Sequence, residues 1–129
     1  SPGGIPPGML DFARDALQAV LDDPVELQCL LGEYLSEPKP NVWFDSEAGV
    51  QTTVVTGAVR LDRRTRMMFD DRHIFINGES YRASGRDALL MRALADRRRL
   101  AAGDVRRASP GARQLMSDWL EAGWMHDDR

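Results

Sequence analysis

The sequence predicts an α+β fold, an N-terminal helical arm followed by a small winged-helix-like domain built from a β meander and two or three helices. Three observations carry this. Apolar residues recur at three- and four-residue spacing in two short segments before residue 36, an Asn77-Gly78 turn separates two strand-like runs, and serine-led helical patterns fill the remainder. The 129 residues suffice for one small domain with an attached arm. The division expected is an arm over 1–45, a linker over 46–56 and the winged-helix-like domain over 57–129.

The first helix is predicted from Pro7 to Leu21, with Met9, Phe12, Ala13, Ala16, Leu17, Val20 and Leu21 on one side. Asp23-Pro24-Val25-Glu26 opens the second. Asp23 suits the cap, proline is pre-shaped for the first helical position, and Glu26 completes a capping-box spacing. Leu27, Leu30, Leu31, Tyr34 and Leu35 form its apolar side, and Pro38 and Pro40 end it. Two helices this short need a partner surface, either the rest of the chain or a second copy. Phe12, Leu17, Val20, Leu21, Leu27, Leu30 and Leu31 are the expected seam of a homodimer, in which two arms build one four-helix layer.

Val42, Trp43 and Phe44 read as an apolar anchor packed on the core, and residues 45–56 as linker. Strands are predicted at Ala58–Leu61, Arg66–Phe69, His73–Ile76 and Glu79–Arg82. Ile74 and Ile76 share one face of the third strand, His73 and Phe75 the other. Ser84, with Asp87 three residues on, is expected to start a helix burying Leu90, Met91, Leu94 and Ala95. A short helix is expected over Gly103–Arg107. Ser109-Pro110 starts the last one, with Leu115, Met116, Trp119 and Leu120 inward and a stop near Gly123. Trp124 and Met125 suit a final strand.

Charge is segregated. Residues 1–59 hold two basic and nine acidic side chains, whereas residues 60–113 hold fourteen basic, all arginine, against seven acidic. The asymmetry fits either an acidic arm matched to a basic domain within the chain or an acidic partner. Arg63, Arg64, Arg97, Arg98 and Arg99 are the candidate basic partner surface for RNA or DNA. Sequence-specific DNA reading is not favoured, because the last helix offers Arg113 and Gln114 alongside Asp118 and Glu121.

The sequence contains no apolar run of the ~20 residues that spans a bilayer. SPGGIPPGML has no basic region before an apolar one, so it reads as linker rather than secretory signal, and a cytoplasmic setting is expected. The single cysteine, Cys29, reads as a small core residue in a reducing compartment.

No catalytic residue and no metal ligand is assigned. His73 and His126 are the two histidines, too few for a two-histidine, one-carboxylate iron site unless His126-Asp127-Asp128 is paired arbitrarily with His73. Asp70-Asp71 between two strands reads as a turn. Neither a nucleophile elbow nor a phosphate-binding glycine loop is present.

The stretch GEYLSEPKPNVWFD (32–45) is similar to the segment closing the helical dimerisation region of bacterial cupin-type, JmjC-like ribosomal oxygenases. VRLDRRTRMMFDDRHIFINGESYRA (59–83), together with the helices up to EAGWM at Glu121 to Met125, resembles that family's C-terminal winged-helix domain. The resemblance implies a dimerisation arm from about Pro6 to Leu35 and a winged-helix domain from about Gly57 to Met125. It also implies an upstream cupin domain that binds Fe(II) and 2-oxoglutarate and hydroxylates an arginine of the sixteenth large-subunit ribosomal protein. None of that family's iron ligands or its 2-oxoglutarate-binding residue falls in this chain.

Overall fold

Eleven elements are present in the computed structural model, which describes residues 3–39, 42–44, 55 and 57–128. The arm comprises α1 (Pro7–Asp22) and α2 (Pro24–Ser36). They are separated by Asp23, whose Oδ1 accepts from the backbone N–H of Val25 and Glu26 at 3.0 and 3.3 Å. The N–H of Asp23 donates to the Val20 carbonyl, so Asp23 is fixed by the helix behind it rather than by Glu26.

β1 (Val59–Leu61), β2 (Met67–Phe69), β3 (His73–Ile76) and β4 (Glu79–Arg82) follow. β2, β3 and β4 form the expected antiparallel meander, with Asn77 and Gly78 at φ 47° and 89° making the hairpin turn. β1 stands apart from it. After α3 (Gly85–Arg97) the chain makes a two-residue strand, β5 (Arg99–Leu100), then α4 (Ala102–Arg107), α5 (Pro110–Glu121) and β6 (Met125–Asp127). β1 lies between β5 and β6, antiparallel to both. The sheet segment predicted as one region is therefore two three-stranded sheets.

Between the sheets and the helices lies one core. Val59, Ile76, Leu94, Val105, Met116, Trp119 and Met125 are its most deeply buried members. Ser109 caps α5, its Oγ accepting from Ala112 N–H at 3.1 Å. Asp87 departs from the expected capping box. Its carboxylate takes the Ser109 N–H and hydroxyl at 3.0 and 2.5 Å, which ties the start of α3 to the start of α5. Ser84 makes no side-chain cap.

β3 is buried on both faces. Ile74 and Ile76 face the core, while Phe75, 2% exposed, is covered by α2. A Cβ on Gly32 would stand 2.4 Å from the Phe75 ring, so α2 approaches the sheet through the absence of a side chain. One turn on, the fully buried Ser36 hydroxyl accepts from Gly78 N–H at 3.0 Å. Cys29 is half-buried against β4, its Sγ 3.5 Å from the Ser80 hydroxyl, and burial pushes its thiol pKa up. It lies between helix and sheet, outside the main core.

Phe44 supplies the anchor after the prolines. Its ring lies 6.2 Å from that of Trp124 and under the Arg64 guanidinium at 5.5 Å. Trp43, expected to pack, is 80% exposed. Most of the predicted linker lies outside the described residues. Val55 within it is buried in the core, and its N–H donates to the Ser117 hydroxyl.

Candidate functional site

The two predicted surfaces take different forms. The first is the arm. Phe12, Leu17 and Leu21 on α1 are 76%, 60% and 58% exposed, and Leu27, Leu30 and Leu31 on α2 remain exposed as well; Val20 is partly covered. α2 spends its small-residue side, Cys29, Gly32 and Ser36, on the sheet. That leaves its leucines for something else. α1 buries no residue at all. Monomeric proteins rarely leave so continuous an apolar stripe in water.

The second surface is basic. β1 pairs with β5, and the Leu61 N–H donates to the Arg98 carbonyl at 2.9 Å, so two arginine clusters far apart in sequence meet. Not all of them face solvent. Arg98 adopts φ 65° at the end of α3 and donates through one guanidinium nitrogen to the Asp62 and Thr65 carbonyls at 2.8 and 2.9 Å. Arg64 grips the Asp62 carboxylate through Nε and Nη2 and the Trp43 carbonyl through Nη1 at 2.6 Å. Arg64 and Arg98 thus hold the fold together. Arg63, Arg97 and Arg99 are exposed, as is Arg60, which sits opposite Arg99 in the sheet register.

Asp62 is the electrostatic centre beneath this surface. It is 6% exposed, and the Arg64 hydrogen bonds hold its carboxyl well below the usual range against the opposing cost of burial. His126 Nε2, 2.7 Å from its second oxygen, and the Arg64 backbone N–H assist. The geometry is a closed structural knot, with each oxygen engaged. His73 is also committed inside the protein. It is 7% exposed, stacks on Phe75 at 5.8 Å and faces Asp70, whose Oδ1 accepts from Arg72 and His73 N–H in the predicted turn.

A cleft of about 320 Å³ lies between β4, α3 and α5, lined in part by Tyr81, Met91, Leu115 and Trp119. Burial and the neighbouring Glu79 push the Tyr81 phenol up to about 12, so the group stays protonated and is no base. Among the described residues no set of three or more histidine, cysteine or acidic side chains is placed to hold a metal ion. The donor chemistry here does not fit an iron site. No helix of the described residues is long and apolar enough to cross a membrane.

Solved structures with this fold include those of YcfD, a ribosomal oxygenase from Escherichia coli. YcfD from Escherichia coli with cobalt and succinic acid superposes over 100% of this chain and 38% of its own, with a TM-score of 0.71 at 17% identity. YcfD with cobalt and 2-oxoglutarate gives 0.70 at 16%, over 100% and 38%. A further structure of YcfD gives 0.70 at 18%, over 99% and 36%. The chain therefore spans little more than a third of the length of the proteins it resembles. No curated protein matches. The ROXA-like winged helix family model matches residues 19–126, which run from the end of α1 to β6, and the chain belongs to that family.

Proposed function

We propose that this chain is the non-catalytic dimerisation and protein-interaction region of an Fe(II)- and 2-oxoglutarate-dependent oxygenase that hydroxylates an arginine of a ribosomal protein. The observation that carries this reading is the apolar face of α1 and α2, left uncovered while the winged-helix domain buries a core of its own. Membership of the ROXA-like family and the YcfD fold support it. The iron, the 2-oxoglutarate and the reaction belong to an upstream cupin domain in a cytoplasmic parent protein. The residues here supply the homodimer contact and help to present the protein substrate.

Light scattering of the chain is expected to give a dimer that Leu17→Asp or Leu30→Asp weakens at least tenfold. A strict monomer at high concentration overturns the dimerising role. The parent protein with iron and 2-oxoglutarate is expected to add one oxygen atom to an arginine of its ribosomal protein, read by peptide mass. An unmodified substrate overturns the oxygenase assignment.

A further inference from the structure

The exposed side of the β5-β1-β6 sheet carries an electrostatic arrangement that packing does not explain. Along β1 the buried residues are Val59 and Leu61, so Arg60 between them points outward. Its cross-strand partner on β5 is Arg99, also exposed, and on the other side it faces His126. Like charges directly opposite in an antiparallel pair repel and destabilise a sheet. Among the described residues neither Arg60 nor Arg99 makes an ion pair. The acids nearby are engaged or few. Asp62 is occupied by Arg64 and His126, Asp96 precedes Arg97 on α3, and Asp127 lies in register with Val59 at the end of β6. Arg63 and Arg97 add two more exposed cations from the segments that Arg98 staples together.

We propose that Arg60, Arg63, Arg97 and Arg99 form a docking surface for the phosphate backbone of RNA. Planar guanidinium groups at strand spacing suit successive phosphates, and a bound polyanion would relieve the Arg60–Arg99 repulsion. Backbone contact rather than base reading follows from α5, the helix a winged helix would insert into a groove, which exposes Asp118 and Glu121. The choice of RNA over an acidic protein rests on the oxygenase reading above, since a ribosomal protein is met beside RNA phosphates. The surface lies on and beside the β5-β1-β6 sheet, whereas the apolar arm packs on the other sheet, so one chain can dimerise and bind phosphate through separate residues.

The test is fluorescence anisotropy of the full chain with a labelled single-stranded oligouridylate of about 20 nucleotides at about 50 mM salt. Micromolar binding is expected, with log affinity falling against log salt at a slope of about −3 for four neutralised phosphates. Arg60→Gln with Arg99→Gln is expected to reduce affinity at least tenfold and shrink the slope, with circular dichroism unchanged. Arg63→Gln with Arg97→Gln, which alters no strand, is expected to act in the same direction. No binding at low salt, or binding indifferent to both double variants, overturns the proposal. Displacement by polyglutamate as effective as by unlabelled RNA overturns it in favour of an acidic protein partner. Light scattering on the same samples separates the outcomes. RNA binding lost from an intact dimer condemns only this surface, whereas a monomer that still binds RNA condemns only the arm.

Discussion

Helices α1 and α5 are written in the same pattern and meet opposite fates. Both place apolar residues at helical spacing and begin beside a proline. α5 buries Met116 and Trp119 in a core that it shares with strands of both sheets and with α3 and α4. α1 buries nothing, and its Phe12 is three-quarters exposed. Periodicity announces that a face wants covering; it does not say what covers it. α2 is intermediate. Its small residues are spent on the chain's own sheet and its leucines are not. The contrast teaches that an apolar stripe left over after the core is complete has its energy still to release, and association is the natural outlet.

Mutations at the two ends of this comparison should behave differently. Trp119→Ala, which removes a side chain 2% exposed, is expected to cost about 3–5 kcal/mol in urea unfolding and to abolish the folded domain at moderate temperature. A loss below about 1 kcal/mol would mean that α5 is no better packed than α1. Gly32→Ala tests the intermediate helix. The new methyl meets the Phe75 ring, which is buried and has nowhere to go, so about 1–3 kcal/mol is expected, with α2 detaching first in hydrogen exchange. Ser36→Ala, which orphans the Gly78 N–H, should cost about 1–2 kcal/mol in the same measurement.

Acid sharpens the comparison further. The Asp62 carboxyl is held below its unfolded value, so it contributes stability above about pH 4 that is lost as pH falls through its folded pKa. Asp62→Asn should flatten that acid limb of the unfolding curve while lowering stability at neutral pH by about 2 kcal/mol. Leu17→Asp, smallest in this series, is expected to change monomer stability by under about 0.5 kcal/mol, because the side chain is 60% exposed. Its effect appears in the mass by light scattering instead.

Much of the fold was legible in local signals. Asp23-Pro24, Asn77-Gly78 and Ser109-Pro110 each mark a boundary by their own backbone chemistry, and the elements beside them form where expected. What escaped was non-local. β5 has only two residues and follows Arg98, whose positive φ is sustained by bonds to Asp62 and Thr65 that no window of sequence contains. β1 was read with its neighbours because its partners, β5 and β6, lie far along the chain. The burial of Val55 and the exposure of Trp43 likewise depend on which distant residue arrives, Ser117 in one case and Arg64 in the other. The arginine surface was half legible. Its residues were visible, but which of them would be consumed internally was decided by the carbonyls and carboxylate of the β1–β2 turn.

The seat beneath Gly32 also acts as an indexing notch. Sliding α2 by one turn along the sheet would bring Gln28 or Ser36 under the Phe75 ring, and either carries a side chain where only hydrogen fits. The helix therefore clicks into a single axial position. Any molecule gripping the leucines on its far side inherits that alignment, so the β2-β3-β4 sheet and whatever the arm holds are set at one angle by a missing methyl group.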